Sequence, residues 1–278
     1  MAFTIRPRGP FSLAAAAQVL LGYPAPTARR DGERLSIAFC LERTWEPVGV
    51  RLAQRGDVVH VEGPASARAA IERIFSLDLD GGGILEVARR DPVVRRLVAR
   101  HPGLRPVLFG SPWEAAVWAI LAQRVRMDQA ARRMREIAAA HGPEVEVGGK
   151  VLCAFPSPET ILRVRRISGT IAEKVDWLHG VAHAALRGRL DAERLRAMPV
   201  PEALRALRAL PGIGPFSAEL VLVRGAGAPD VVQTAVARAQ RAVERAYGPS
   251  ADVGRLAEAW HPWASWVGFL LRFAGAED

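Results

Sequence analysis

The sequence predicts a mainly α-helical protein with a mixed α/β lobe at its N-terminal end. From Ile84 onward almost every segment repeats apolar residues at helical spacing, separated by Gly, Pro or Ser–Pro. Before the triple glycine Gly81–Gly83, short β-branched runs lie between turn residues instead. Half of the 278 residues are hydrophobic, enough to bury a sizeable core. The glycines divide the chain into an expected α/β lobe, 1–83, and a helical domain, 84–278.

In chain order, "FSLAAAAQVLLG" reads as a short helix. "RLSIAFCL" (Arg34–Leu41), "PVGVRLAQ" (Pro47–Gln54) and "DVVHVEG" (Asp57–Gly63) read as strands, with "QRGD" turning between the second and third. "SARAAIERIFSLDLD" returns to helical spacing. The helical domain then runs through Ile84–His101, Pro112–Gly142, Ser157–Ile167, Thr170–Gly188, Asp191–Met198, Pro201–Leu210, Phe216–Gly225, Thr234–Gly248 and Val253–Gly275. Between two of these, "PEVEVGGKVLCAFPSP" breaks the pattern and suggests a hairpin or irregular loop.

The formal net charge of +9 favours an anionic partner such as nucleic acid. Coding bias explains it as well, because the basic residues are almost all Arg, with Lys only at Lys150 and Lys174. Cys40 and Cys153 offer neither a disulfide framework nor metal-ligand spacing, and the six His residues are scattered. No apolar run is long enough to cross a bilayer, and the first helix lacks a small-residue cleavage site, so a cytoplasmic protein is expected.

The segment most informative about function is "LPGIGPFSAEL", Leu210–Leu220. Two glycines around one isoleucine allow a tight turn and a close backbone approach to another molecule. Pro215 suits the first turn of the following helix, whose unpaired N–H groups face outward and suit a phosphate, with Ser217 as a further donor. Such a unit grips a nucleic-acid backbone without reading sequence. An ordinary helix–helix connection with a C-terminal glycine is the alternative.

"PWEAAVWAILAQ", "RISGTIAEKVDWLHGVAHAALRGRLD", "LRALPGIGPFSAELVLVRG" and "WHPWASWVGFLL", in this order and spacing, resemble the helix–hairpin–helix DNA glycosylases. The likeness is greatest to the DNA-3-methyladenine glycosylase II branch, strong over about two thirds of the chain and looser before that. It implies a two-lobed helical fold with a cleft, the hairpin on one lip, and a monomer that bends double-stranded DNA and rotates a damaged base into a pocket. DNA contacts are then expected from Gln123 and Arg124 and from Gly212, Ile213, Gly214, Pro215, Phe216, Ser217 and Ala218. Arg124 occupies the position of the wedge that fills the gap left by the base. No organic cofactor is implied. A structural Na⁺ or K⁺ is, held by the backbone carbonyls of Arg208, Leu210 and Ile213.

The resemblance also contains departures. Breaking a glycosidic bond leaves an oxocarbenium-like sugar, which a nearby carboxylate stabilises. The family's Asp falls here on Ala235 or Val236, leaving Asp230, several residues early, as the candidate. Thr234 suits an N-cap for the helix that follows. The position of the Schiff-base Lys in bifunctional members is Phe216, which excludes a lyase step through that residue. Arg272 stands where the alkylation branch places an aromatic against a cationic base. Trp113, Trp118 and Trp266 divide between pocket wall and core. The expected activity is monofunctional excision of altered, notably alkylated, purines in base-excision repair at the nucleoid. The alternative is a glycosylase fold that binds damaged DNA without releasing a base.

Overall fold

The computed structural model describes residues 2–22, 28–234 and 237–274. Five antiparallel strands form the first sheet: β1 (Ala2–Ile5), β2 (Ala28–Asp31), β3 (Arg34–Cys40), β4 (Pro47–Arg55) and β5 (Val58–Glu62), in the order β1-β5-β4-β3-β2. Three of them are the strands expected from sequence. β1 and β2 are short edge strands, and β2, "ARRD", is mostly exposed and carries no apolar alternation. Register pairs Leu35 with Leu52, Ile37 with Val50, and Leu52 with Val61. One face of the sheet is therefore apolar along its length.

Helix α1 (Leu13–Gly22) covers that face with Leu13, Ala16, Ala17 and Leu20. Then come α2 (Arg68–Ile74), α3 (Gly83–Arg90) and α4 (Pro92–Arg100). The same core returns near the C-terminus with α12 (Ala237–Tyr247), α13 (Val253–Trp260) and α14 (Ala264–Ala274), so sheet and last helices form one lobe. Asp91 joins its halves: it caps α4 through the N–H groups of Val93 and Val94 and accepts from the Tyr247 hydroxyl at 2.7 Å and Trp260 Nε1 at 3.1 Å.

The second lobe is built around another core, from α5 (Pro112–Leu121), α6 (Met127–His141), α7 (Pro158–Leu162), α8 (Ala172–Leu186), α9 (Ala192–Ala197), α10 (Val200–Arg208) and α11 (Pro215–Leu220). Every residue of α5 is buried, which makes it the central rod of this lobe. The break at "PEVEVGGKVLCAFPSP" is a hairpin of β6 (Glu144–Val147) and β7 (Lys150–Cys153), packed with Trp45 and Ala154 over Ala38 and Cys40. α11 continues into a π-helical turn, Val221–Ala226, lying against α5 and ending at the left-handed Gly227.

One buried arginine joins the lobes and a second braces the first lobe. Arg73 donates to the carbonyls of Phe109, Gly110 and Gly225 and pairs with Glu42 at 3.0 Å. Arg105, only 1% exposed, donates to the carbonyls of Arg8, Gly9, Pro10, Ser76 and Leu79. Burial draws its guanidinium down to about 10. Part of the net positive charge is therefore spent on internal carbonyls and not on the surface.

Candidate nucleic-acid interface

The hairpin is a turn between α10 and α11. Gly212 has φ +71°, and a Cβ there would lie 2.8 Å from the Trp177 ring of α8, so only glycine fits. Pro211 closes against Gly180 of the same helix, which seats the turn on the body of the lobe. Ile213 anchors it in the core, while Gly214, Pro215 and Phe216 stand exposed. Gly214 is the N-cap of α11, with no capping side chain, and its carbonyl accepts the Ala218 N–H. The N–H groups of Phe216 and Ser217 thus precede the first intrahelical bond, at the positive end of the helix.

Beside the turn runs the loop from α5 to α6. Gln123 Nε2 donates to the Gly212 carbonyl at 2.6 Å, tying loop and hairpin together. Lys174, from α8, is buried and donates to the Gln123 carbonyl at 2.8 Å and the Leu121 carbonyl at 3.3 Å, closing the end of α5. Arg124 follows, exposed and in the left-handed region at φ +55°, an uncommon conformation for a side chain with a Cβ. Burial, aided by the charges of Arg133 and Arg124, holds the Lys174 ammonium below its ordinary value. Arg124 and the buried Lys174 thus flank Gln123, which ties their loop to the hairpin.

Several expected site residues are buried. Ser217 and Ala218 are buried, so the serine hydroxyl turns inward and only its amide belongs to the outer edge. Trp113 donates its indole N–H to the Pro156 carbonyl and packs on Phe155, and Trp118 packs on Phe109. Trp266 is enclosed by Trp263, with ring centroids 4.7 Å apart, and by Arg105. All three indoles are buried within the two cores.

Asp230 is held at the start of α14. It pairs with His261 Nδ1 and accepts the Ala264 N–H at 3.2 Å, while Ser265 Oγ accepts from Val231 N–H alongside it. Its carboxylate thus anchors the last helix. Ala235 and Val236 lie outside the described residues. Just before them, Gln233 accepts from Arg272 Nη1, and Thr234 Oγ1 donates to Glu219 Oε1 at 3.4 Å. Arg272 therefore meets the loop at 231–234.

Two members of this arrangement went unrecognised in the sequence. Lys174 is one of two lysines in an arginine-rich chain, and Glu219 is a single acid within "SAELVLV". Both are rarities in their surroundings, and that was the available signal.

No family model matches the chain. Over 159 residues it is 30% identical to a DNA-3-methyladenine glycosylase of Bacillus subtilis, covering 55% of this chain and 52% of that protein. The chain spans about half the length of the curated relatives it matches. Its fold superposes on a 3-methyladenine DNA-glycosylase of Archaeoglobus fulgidus with a TM-score of 0.82 at 24% identity, covering 99% and 98% of the two chains. An 8-oxoguanine glycosylase/lyase of Clostridium acetobutylicum, in complex with double-stranded DNA containing cytosine opposite 8-oxoG, gives a TM-score of 0.75 at 16% identity, covering 100% and 98%. In sequence the chain is similar to DNA-3-methyladenine glycosylases, and in fold to a 3-methyladenine DNA-glycosylase.

Proposed function

We propose that the protein is a monofunctional DNA glycosylase of base-excision repair that binds duplex DNA, turns out a damaged base and hydrolyses its N-glycosidic bond. The observation that carries this reading is the Gln123–Gly212 hydrogen bond. It holds an exposed, left-handed arginine and an uncapped helix N-terminus on one basic edge. A phosphodiester fits the Phe216 and Ser217 amides, and Arg124 fits the space a turned-out base leaves. The hard carbonyl oxygens of Arg208, Leu210 and Ile213 suit Na⁺ or K⁺, although Leu210 already accepts the Ile213 N–H at 3.2 Å. A bound cation would add positive charge beside the phosphate.

An alkylated purine is the preferred substrate class, because its positive charge already makes it a good leaving group. Phe216 supplies no amine for a Schiff base, so the expected products are free base and an intact abasic strand. We further infer that the protein acts as a monomer in the cytoplasm. Among the described residues, no helix is long and apolar enough to span a membrane.

Binding without excision is the second reading, favoured by the engagement of Asp230 with the start of α14. Incubation with methylated duplex separates the two. Released methylpurine with matching abasic sites supports excision, whereas tight binding with no released base supports the second reading.

A further inference from the structure

We propose that Glu219, acting through the Thr234 hydroxyl, is the carboxylate that orients the attacking water, in place of an acid at 235 or 236. The inference rests on the excision reading above. Thr234 directly precedes Ala235, one of the two positions to which the resemblance assigns the acid, and its hydroxyl contacts the Glu219 carboxylate. Asp230 is directed instead to His261 and the Ala264 amide.

Glu219 is 6% exposed in a helix whose other inward residues are small or apolar, whereas Thr234 is exposed. Taking a carboxylate out of water is unfavourable, and an apolar residue would avoid that cost. A buried acid joined to an exposed hydroxyl makes a short relay from the interior to the loop surface. The 3.4 Å separation is longer than a closed O–H···O bond and can tighten when substrate excludes solvent.

In the reaction, the water oxygen bonds to C1′ of the deoxyribose as the C1′–N bond breaks. The bonding pair leaves with the base, so a cationic alkylated purine departs neutral. The water's proton passes to the Thr234 hydroxyl as that hydroxyl gives its own to Glu219, and the carboxyl then returns it to solvent. Glu219 is a positioning residue in this scheme, because Thr234 stands between it and the reacting atoms.

The test is single-turnover release of methylpurine from alkylated duplex across pH, together with binding to an abasic duplex. Glu219→Gln should slow release by about 10²-fold or more. It should also remove the loss of rate at low pH and leave duplex binding unchanged. Glu219→Asp should recover part of the rate. Thr234→Val, at an exposed position, should slow release with an unchanged melting temperature even if the glutamine variant fails to fold. Normal release by Glu219→Gln or Thr234→Val, in a protein whose wild type excises, overturns the relay and leaves the glycosylase reading standing. Absence of release from the wild type overturns both.

Discussion

Gly214 offers a substitution that separates folding from DNA contact. An added Cβ there meets no atom within 4 Å, and φ −82° with ψ −176° is ordinary extended backbone. Gly214→Leu should therefore change stability by no more than about 0.5 kcal/mol, as for a surface substitution free of special features. The same side chain stands where a phosphodiester must approach the Phe216 and Ser217 amides. A hydrogen bond to a charged group contributes about 1.5–3 kcal/mol. Losing one such contact corresponds to roughly 10- to 150-fold in affinity. Fluorescence anisotropy with an abasic duplex at fixed salt reads this, with a thermal melt as the control. Unchanged affinity with an unchanged melt would refute the hairpin as the phosphate clasp.

Gly212→Ala should behave differently: a positive φ and overlap with Trp177 together destabilise by about 2–4 kcal/mol, visible as a lowered denaturant midpoint. Gln123→Ala removes the tie to the Gly212 carbonyl, about 1 kcal/mol. It should weaken duplex binding several-fold more than it lowers stability, measured by anisotropy beside urea unfolding. Glu114 is pushed up to about 7 from 4.5, chiefly by complete burial, against the opposing Gly110 N–H bond and Arg73. Between these values the folded state holds more proton than the unfolded, so its contribution to stability falls as pH rises from about 4.5 to about 7. At about 1.4 kcal/mol per pH unit, Glu114→Gln should remove a decline on the order of 3 kcal/mol, checked by urea unfolding at pH 5 and pH 8.

The hairpin was legible because its glycines and Pro215 are local requirements of a turn and a helix start. The strands β3 to β5 were legible through alternation, and the helices after Ile84 through their punctuation, although α3, α4 and α12–α14 share the core of the sheet. β1 and β2 were not, because short edge strands take their order from a neighbour and not from their own pattern. The three indoles illustrate the same limit. An aromatic on a helix can face a cleft or a core, and only the packing of α5 and α14 against their neighbours decides which. Asp230 could be read as a free loop acid until the chain brought His261 and the α14 N-terminus to it. The Gln123–Gly212 bond spans 89 residues, so local sequence rules could not join the elements that define the site.

Amide hydrogen exchange, followed with and without an abasic duplex, reads the proposed contact at the backbone atoms themselves. Slowed exchange confined to Phe216, Ser217 and the 123–126 loop is the predicted result. Unchanged exchange at those amides, with protection on another face of a fully bound protein, would contradict the account.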